Sequence, residues 1–428
     1  MAIPRFLSYD FNWSDCLKVQ PAECKENSCR DVSVVAKLNC RKKEEAMRAK
    51  YDVILKGGKI LDPSQNLHGE RDVAFRDGTV AALATELPWD EGVEIIDVKD
   101  RLVVPGLIDL HGHFNYKMTA FHADADEECL PFGVTTAVDT GSTGWMNFPA
   151  FRSYIMEKID TRLYAFIHLS SFGTMPVVIQ VPDLGDFRFA RMEETIQCIE
   201  DNRDVVLGVK VRLSPTGTTL ENAVPALKMV RQIADRTNTL VMVHVMESPI
   251  PLAQVFEYLK PGDIVTHIFH GDTHNVLDGN GQVRPEVWEA RKAGIIFDTA
   301  GAMRHFSIPI CRAAVDQKLF PHVISTDRVG PRPGRVNYSL LDHMSIFLAL
   351  GMSIEEVIQS VTCNAAVAMG RQGLGNFSLG SLADAAVLEI EDGNFTFEDQ
   401  LGNQLQTSQR FRQIKTVKGG KLWERKRE

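Results

Sequence analysis

The chain has 428 residues, 44% hydrophobic and 24% charged, enough for a large domain plus a smaller one and ordinary for a soluble globular protein. Its net charge of −9 argues against a nucleic-acid or anionic-membrane partner. No apolar run approaches the ~18–20 residues of a membrane span. The partners expected are a small-molecule substrate and, in a homo-oligomer, further copies of the chain.

Residues 1–50 carry no sustained strand or helix period before the charged run Arg41–Lys50. They lack the apolar core of a secretory signal and are too acidic for a transit peptide. The expectation is a poorly ordered extension, or a stretch upstream of a start at Met47, with a docking arm as the alternative. Cys16, Cys24, Cys29 and Cys40 fall here without the C-x2-C pairing of a zinc ribbon. Cys129, Cys198, Cys311 and Cys363 are scattered and read as reduced core thiols of a cytoplasmic protein.

From Tyr51 the signals are short strands and turns. Asp52-Val-Ile-Leu-Lys-Gly-Gly-Lys-Ile-Leu61 reads as a hairpin around Gly57-Gly58, followed by Asp72-Val-Ala-Phe75, a turn at Asp77-Gly78, and Val93–Asp97. The C-terminal end mirrors this, with a strand after the turn at Gly380 and a hairpin over Ile414–Leu422 around Gly419-Gly420. Segments 51–105 and 376–428 therefore suggest one small β-sandwich built from both chain ends.

Between them, over 106–375, apolar strand candidates alternate with helical stretches. The eight strands are Leu107–His113, Thr135–Asp139, Leu163–Leu169, Val206–Val211, Leu240–His244, Ile264–His267, Ile295–Asp298 and His322–Asp327. The clearest helix is Glu221–Arg236, with its stripe along Val224, Leu227, Lys228, Val230, Arg231 and Ala234. Eight β-then-α units over about 270 residues predict a TIM (β/α)8 barrel. A doubly wound sheet is the alternative, but it gives no reason for metal-type residues to recur at strand ends.

That recurrence carries the functional reading. The run Val103-Val-Pro-Gly-Leu-Ile-Asp-Leu-His-Gly-His113 ends in two histidines spaced i, i+2, which an extended strand places on one face. Two neighbouring neutral imidazoles suit a divalent ion, zinc above all. Lys210 lies inside an apolar run, where an unpaired ammonium is costly to bury. His244, His267 and Asp327 each end a further strand. Any one strand histidine is more often a hydrogen-bonded core residue, but six such side chains in register on one barrel rim imply a metal site.

The Pro-Gly-Leu-Ile-Asp-x-His-x-His run resembles the first-strand signature of the amidohydrolase superfamily. Gly133-Val-Thr-Thr136, Gly208-Val-Lys-Val-Arg212, Pro261-Gly-Asp-Ile-Val-Thr-His267 and Ile324-Ser-Thr-Asp327 are similar to its deacetylase-like branch, related to D-aminoacylases and dihydroorotases. The resemblance implies two divalent ions, zinc by preference. One takes His111, His113 and Asp327, the other His244 and His267, and a carbamate on Lys210 bridges them. It further implies attack by a metal-bridging hydroxide, with Asp327 as the catalytic proton shuttle.

The chain departs from that branch on two rim loops. Phe306-Ser307 is retained after strand seven, but the histidine usual there is displaced to His305, and Arg328-Val-Gly330 follows strand eight. Both loops would line the substrate. Substrate-binding candidates are Arg212, His168, Ser170, His270 and Arg304, an arginine suiting a substrate carboxylate; Arg212 paired to a neighbouring acid is the structural alternative. The function expected is hydrolysis of an amide or ester bond in a small N-acyl or O-acyl acid. A cyclic amidase of the dihydroorotase or hydantoinase type and a catalytically silent scaffold are the alternatives.

Overall fold

Two sheets dominate the computed structural model, which describes residues 49–330 and 337–424. Segment 1–48, and with it the expected extension, lies outside the described residues. The N-terminal strands are β1 (Tyr51–Asp62), β2 (Leu67–Arg76), β3 (Thr79–Ala84), β4 (Gly92–Asp97) and β5 (Leu102–Pro105). The hairpin expected at Gly57-Gly58 is instead a bulge inside the single strand β1. Gly57 adopts φ +75°, and a Cβ on Gly58 would lie 2.5 Å from a methyl of Val103. The bulge lets β1 change partner: Tyr51–Lys56 pairs in parallel with β4, and Lys59–Ile60 pairs with β5.

The C-terminal end adds β13 (Ala385–Glu398), β14 (Gln404–Lys418) and β15 (Lys421–Leu422), and β13 pairs with β5. Together these strands make one mixed sheet of eight. Its inner side is an apolar cluster of Val53, Leu55, Val73, Phe75, Val103, Val387 and Val417. The hairpin at Gly419-Gly420 forms as expected, with Lys418 opposite Lys421.

The intervening chain gives β6 (Leu107–Gly112), β7 (Val134–Thr140), β8 (Arg162–His168), β9 (Val206–Arg212), β10 (Leu240–His244), β11 (Ile264–Thr266) and β12 (Ile296–Asp298). All seven are parallel and lie in sequence order, forming a nearly closed barrel. A Cβ on Gly208 would come 2.0 Å from the Leu240 carbonyl oxygen, so a glycine is needed there for β9 and β10 to meet. Helix Cys363–Ala368 closes one end, packing on Ile108, Leu110, Val138, Phe166, Met242 and Ile264.

The eighth position closes the ring by side chains more than by a ladder. Two isolated parallel bridges, Val323 to Asp298 and Arg328 to Gly112, tie residues 322–328 between β12 and β6. Asp109 accepts from the Thr326 amide (3.1 Å) and hydroxyl (2.6 Å), and the Ser325 hydroxyl donates to Asp298 (2.5 Å). The expected helix runs Leu220–Thr237, but its buried stripe is Ala223, Ala226, Leu227, Val230, Ile233, Ala234 and Thr237. Val224 and Lys228 lie beside that stripe, and Arg231 leaves it to pair with Asp263 at 2.5 Å. Pro225 lies inside this helix on its exposed face and forgoes one i→i−4 hydrogen bond there. Among the described residues no helix is long and apolar enough to cross a membrane.

Candidate metal centre

The six expected metal-site residues and Arg212 converge on one cavity of about 180 Å³ at the C-terminal ends of the barrel strands. Its wall includes His111, His113, Lys210, Arg212, His244, His267, His305 and Asp327. The i, i+2 spacing at the end of β6 does what strand geometry requires. His111 and His113 each bring Nε2 close to one oxygen of Asp327, at 3.5 and 3.4 Å. Donor atoms of His111, His113 and Asp327 lie within 4.8 Å of one another, as do those of His267, His305 and Asp327.

Each imidazole is oriented from behind. His111 Nδ1 faces Asp298 Oδ2 at 3.2 Å and the Thr266 hydroxyl at 2.9 Å. His113 Nδ1 lies 2.8 Å from the Ser142 hydroxyl, and His267 Nδ1 lies 3.0 Å from the Ala300 carbonyl oxygen. A carbonyl only accepts, so His267 carries its hydrogen on Nδ1 and keeps a lone pair on Nε2. A hydrogen-bonded group behind the ring is the usual support of a metal-ligating histidine. Among the described residues His244 Nε2 is buried with no hydrogen-bond partner, an expensive state for an imidazole nitrogen unless a cation takes it.

Backbone conformation adds to this. His267 and Asp327 sit at φ +64° and +55°, a left-handed region that is costly for these residues. His267 follows the end of β11 and Asp327 lies in the irregular eighth position, so the strain is concentrated where side chains turn toward the cavity.

Electrostatics follow from burial. Burial holds the His111, His244 and His267 imidazolium forms well below the usual histidine range, so the rings are neutral donors. Burial likewise pushes Lys210 down to about 7, and its Nζ lies 2.8 Å from His111 Nε2. Burial pushes the Asp327 carboxyl up, but His305, His113 and His111 outweigh it and hold the group well below its ordinary value. Asp327 is thus an anion near the neutral rings of His111, His244 and His267 and beside a deprotonatable amine, a donor set that fits divalent cations.

The substrate-binding candidates separate. Arg212 is at the cavity wall, donating to Asp183 at 2.7 Å and to the Thr216 hydroxyl at 3.1 Å. His168, Ser170, His270 and Arg304 are not part of that wall. His168 accepts from the Ser170 amide (3.0 Å), His270 accepts from the Asp272 amide (3.2 Å), and Arg304 is exposed near Glu247 and Asp272. Position at the end of β8 points to His168 and Ser170, and position on the next rim loops to His270 and Arg304, but none of these side chains reaches the wall of this cavity. The wall also draws on Val329, from the loop after the eighth position that departs from the family pattern, and on Phe121, Thr174, Val177, Thr216 and Met246, which carry no sequence signal. Asp298 was legible only as a strand end, whereas the displaced His305 could have been found from the loop departure.

No protein-family model matches the sequence. A deacetylase of Brucella anthropi is 32% identical over 328 residues, spanning 77% of this chain and 81% of that protein. Among solved structures, an adenine deaminase superposes with a TM-score of 0.81 at 25% identity, covering 88% of this chain and 100% of that one. A dihydroorotase superposes with a TM-score of 0.79 at 29% identity, covering 87% and 98%.

Proposed function

The chain belongs to the amidohydrolase superfamily, and from that premise we propose that it hydrolyses the amide or ester bond of a small N-acyl or O-acyl acid with two divalent ions. One observation carries the reading: five imidazoles and an ionised aspartate converge around a buried lysine amine on one cavity. His111, His113 and Asp327 would hold one ion and His244 and His267 the other, with zinc favoured by the imidazole-rich set. Such ions lower the pKa of a bound water and polarise a carbonyl.

The chain's own groups supply the rest. Lys210, near pH 7 a partly neutral amine, can add to carbon dioxide through nitrogen, lose a proton, and become an anionic carbamate. That turns a costly buried cation into a ligand of the right charge. Asp327, held ionised, takes a proton from the attacking water and delivers it to the leaving nitrogen. Its Oδ2 lies 2.6 Å from His305 Nδ1, which keeps the carboxylate aimed while Oδ1 faces His111 and His113. Arg212, fixed by Asp183 and Thr216, offers its remaining N–H groups to a substrate carboxylate. Phe121, Val177, Met246 and Val329 give the acyl side an apolar wall.

The deacetylase relative favours an acyclic acyl substrate. The dihydroorotase-like fold keeps a cyclic amide as the second reading. Zinc-loaded enzyme assayed on N-acyl-D- and L-amino acids, acyl hydroxy acids and cyclic amides tests both. Turnover confined to acyl acids is expected. Turnover confined to cyclic amides would replace the proposal with the second reading, and no turnover on any class by metal-replete protein would remove it.

A further inference from the structure

We infer that His305 is a third imidazole ligand of the second metal position, joining His244 and His267. This rests on the metal-centre reading above and goes beyond the six ligands implied by the family resemblance. The first observation is convergence. The His267 and His305 ring centroids are 4.1 Å apart, those of His244 and His267 4.3 Å, and those of His244 and His305 5.2 Å. One donor atom from each of His267, His305 and Asp327 falls inside a 4.8 Å group.

The second is the state of the neighbouring nitrogens. His267 commits Nδ1 to the Ala300 carbonyl, and His244 Nε2 is buried with no hydrogen-bond partner among the described residues. A lone pair on His267 Nε2 and an unpartnered His244 nitrogen in a buried pocket beside a third ring are both satisfied by a cation placed among them.

The third is anchoring of the loop. His305 closes a short 3-10 turn, Met303–His305, after which Phe306 packs on Phe347 at 5.9 Å between ring centroids. The Ser307 amide donates to the Phe269 carbonyl (3.0 Å), and the Ile308 amide donates to Asp399 at the tip of the β13–β14 hairpin (2.8 Å). The backbone beyond His305 is therefore held from two elements, as a ligand on a loop requires. The hydrogen bond from His305 Nδ1 to Asp327 needs only those two residues and does not account for the approach of His305 to His244 and His267.

The test uses full-length protein stripped with a chelator and titrated with Co²⁺ in bicarbonate buffer. Elemental analysis gives stoichiometry, and the visible d–d bands report the ligand field. Wild type should take two ions. His305→Ala and His305→Gln should weaken the second ion by at least about 100-fold, since even outer-shell changes cost 10–100-fold, and should change the d–d bands while the first ion stays bound. Equal melting temperatures of the stripped proteins show that the variants fold, and agreement of the two substitutions guards against a defect peculiar to either. Two ions bound with wild-type affinity and an unchanged spectrum in both variants would overturn the inference and leave the metal centre standing, with His305 only orienting Asp327. Failure of wild type to bind Co²⁺ tightly would remove the metal-centre reading and this inference together.

Discussion

Replacing Asp327 by asparagine separates metal ligation from proton transfer. The side chain is isosteric and retains one oxygen that can face His111 and His113, now at 3.5 and 3.4 Å from Oδ1. It loses the anion that accepts from His305 at 2.6 Å, a charge-assisted bond worth about 1.5–3 kcal/mol. It also loses the ability to accept and return a proton near neutral pH. General acid–base catalysis is typically worth about 10²–10⁴-fold, or roughly 2.7–5.4 kcal/mol of barrier. An anilide, whose nitrogen must be protonated to leave, should therefore lose at least about 100-fold in kcat with both ions present. A nitrophenyl ester of the same acyl group leaves without a proton and should lose much less. The assay is elemental analysis followed by kcat on both substrates. Equal losses on the two, or near-normal anilide turnover by metal-replete Asp327→Asn, would refute the shuttle.

Four further outcomes are expected. Stripped enzyme should regain activity with Zn²⁺ only when carbon dioxide or bicarbonate is supplied, and Lys210→Ala should not; activity of reconstituted Lys210→Ala equal to wild type would exclude the carbamate. Burial lowers Lys210 to about 7, so its neutral, reactive fraction rises with pH, and reconstitution at fixed dissolved carbon dioxide should be roughly tenfold faster at pH 8 than at pH 6; a flat or falling rate would contradict this. Arg212→Met should raise KM for a carboxylate-bearing substrate about 10–100-fold while leaving the neutral amide analogue nearly unchanged, as expected for one lost charge-assisted contact. Asp109→Ala strips both acceptors from Thr326 and should cost about 2–4 kcal/mol in urea unfolding; a loss under 0.5 kcal/mol would mean that the eighth barrel position does not depend on it.

Local pattern determined a good deal of this protein. Strand periodicity found the seven parallel strands to within a residue or two at most ends, because each is buried on both faces and reads as a short apolar run. The i, i+2 spacing of His111 and His113 and the strand-end positions of Lys210, His244, His267 and Asp327 were legible because a parallel barrel gathers its strand ends on one rim. Tertiary structure decided what depends on partners distant in the chain. Gly57-Gly58 makes a bulge because β1 must exchange β4 for β5 along its length, a pairing with residues some 40 positions away. The buried stripe of helix Leu220–Thr237 turned past Val224 because the barrel and Asp263 set its rotation, which an amphipathic pattern with several apolar flanks leaves open. Asp298 behind His111, Asp183 behind Arg212 and His305 against Asp327 are contacts across 187, 29 and 22 residues. Local propensity carries no information about such pairs; only closure of the barrel brings them within hydrogen-bond distance.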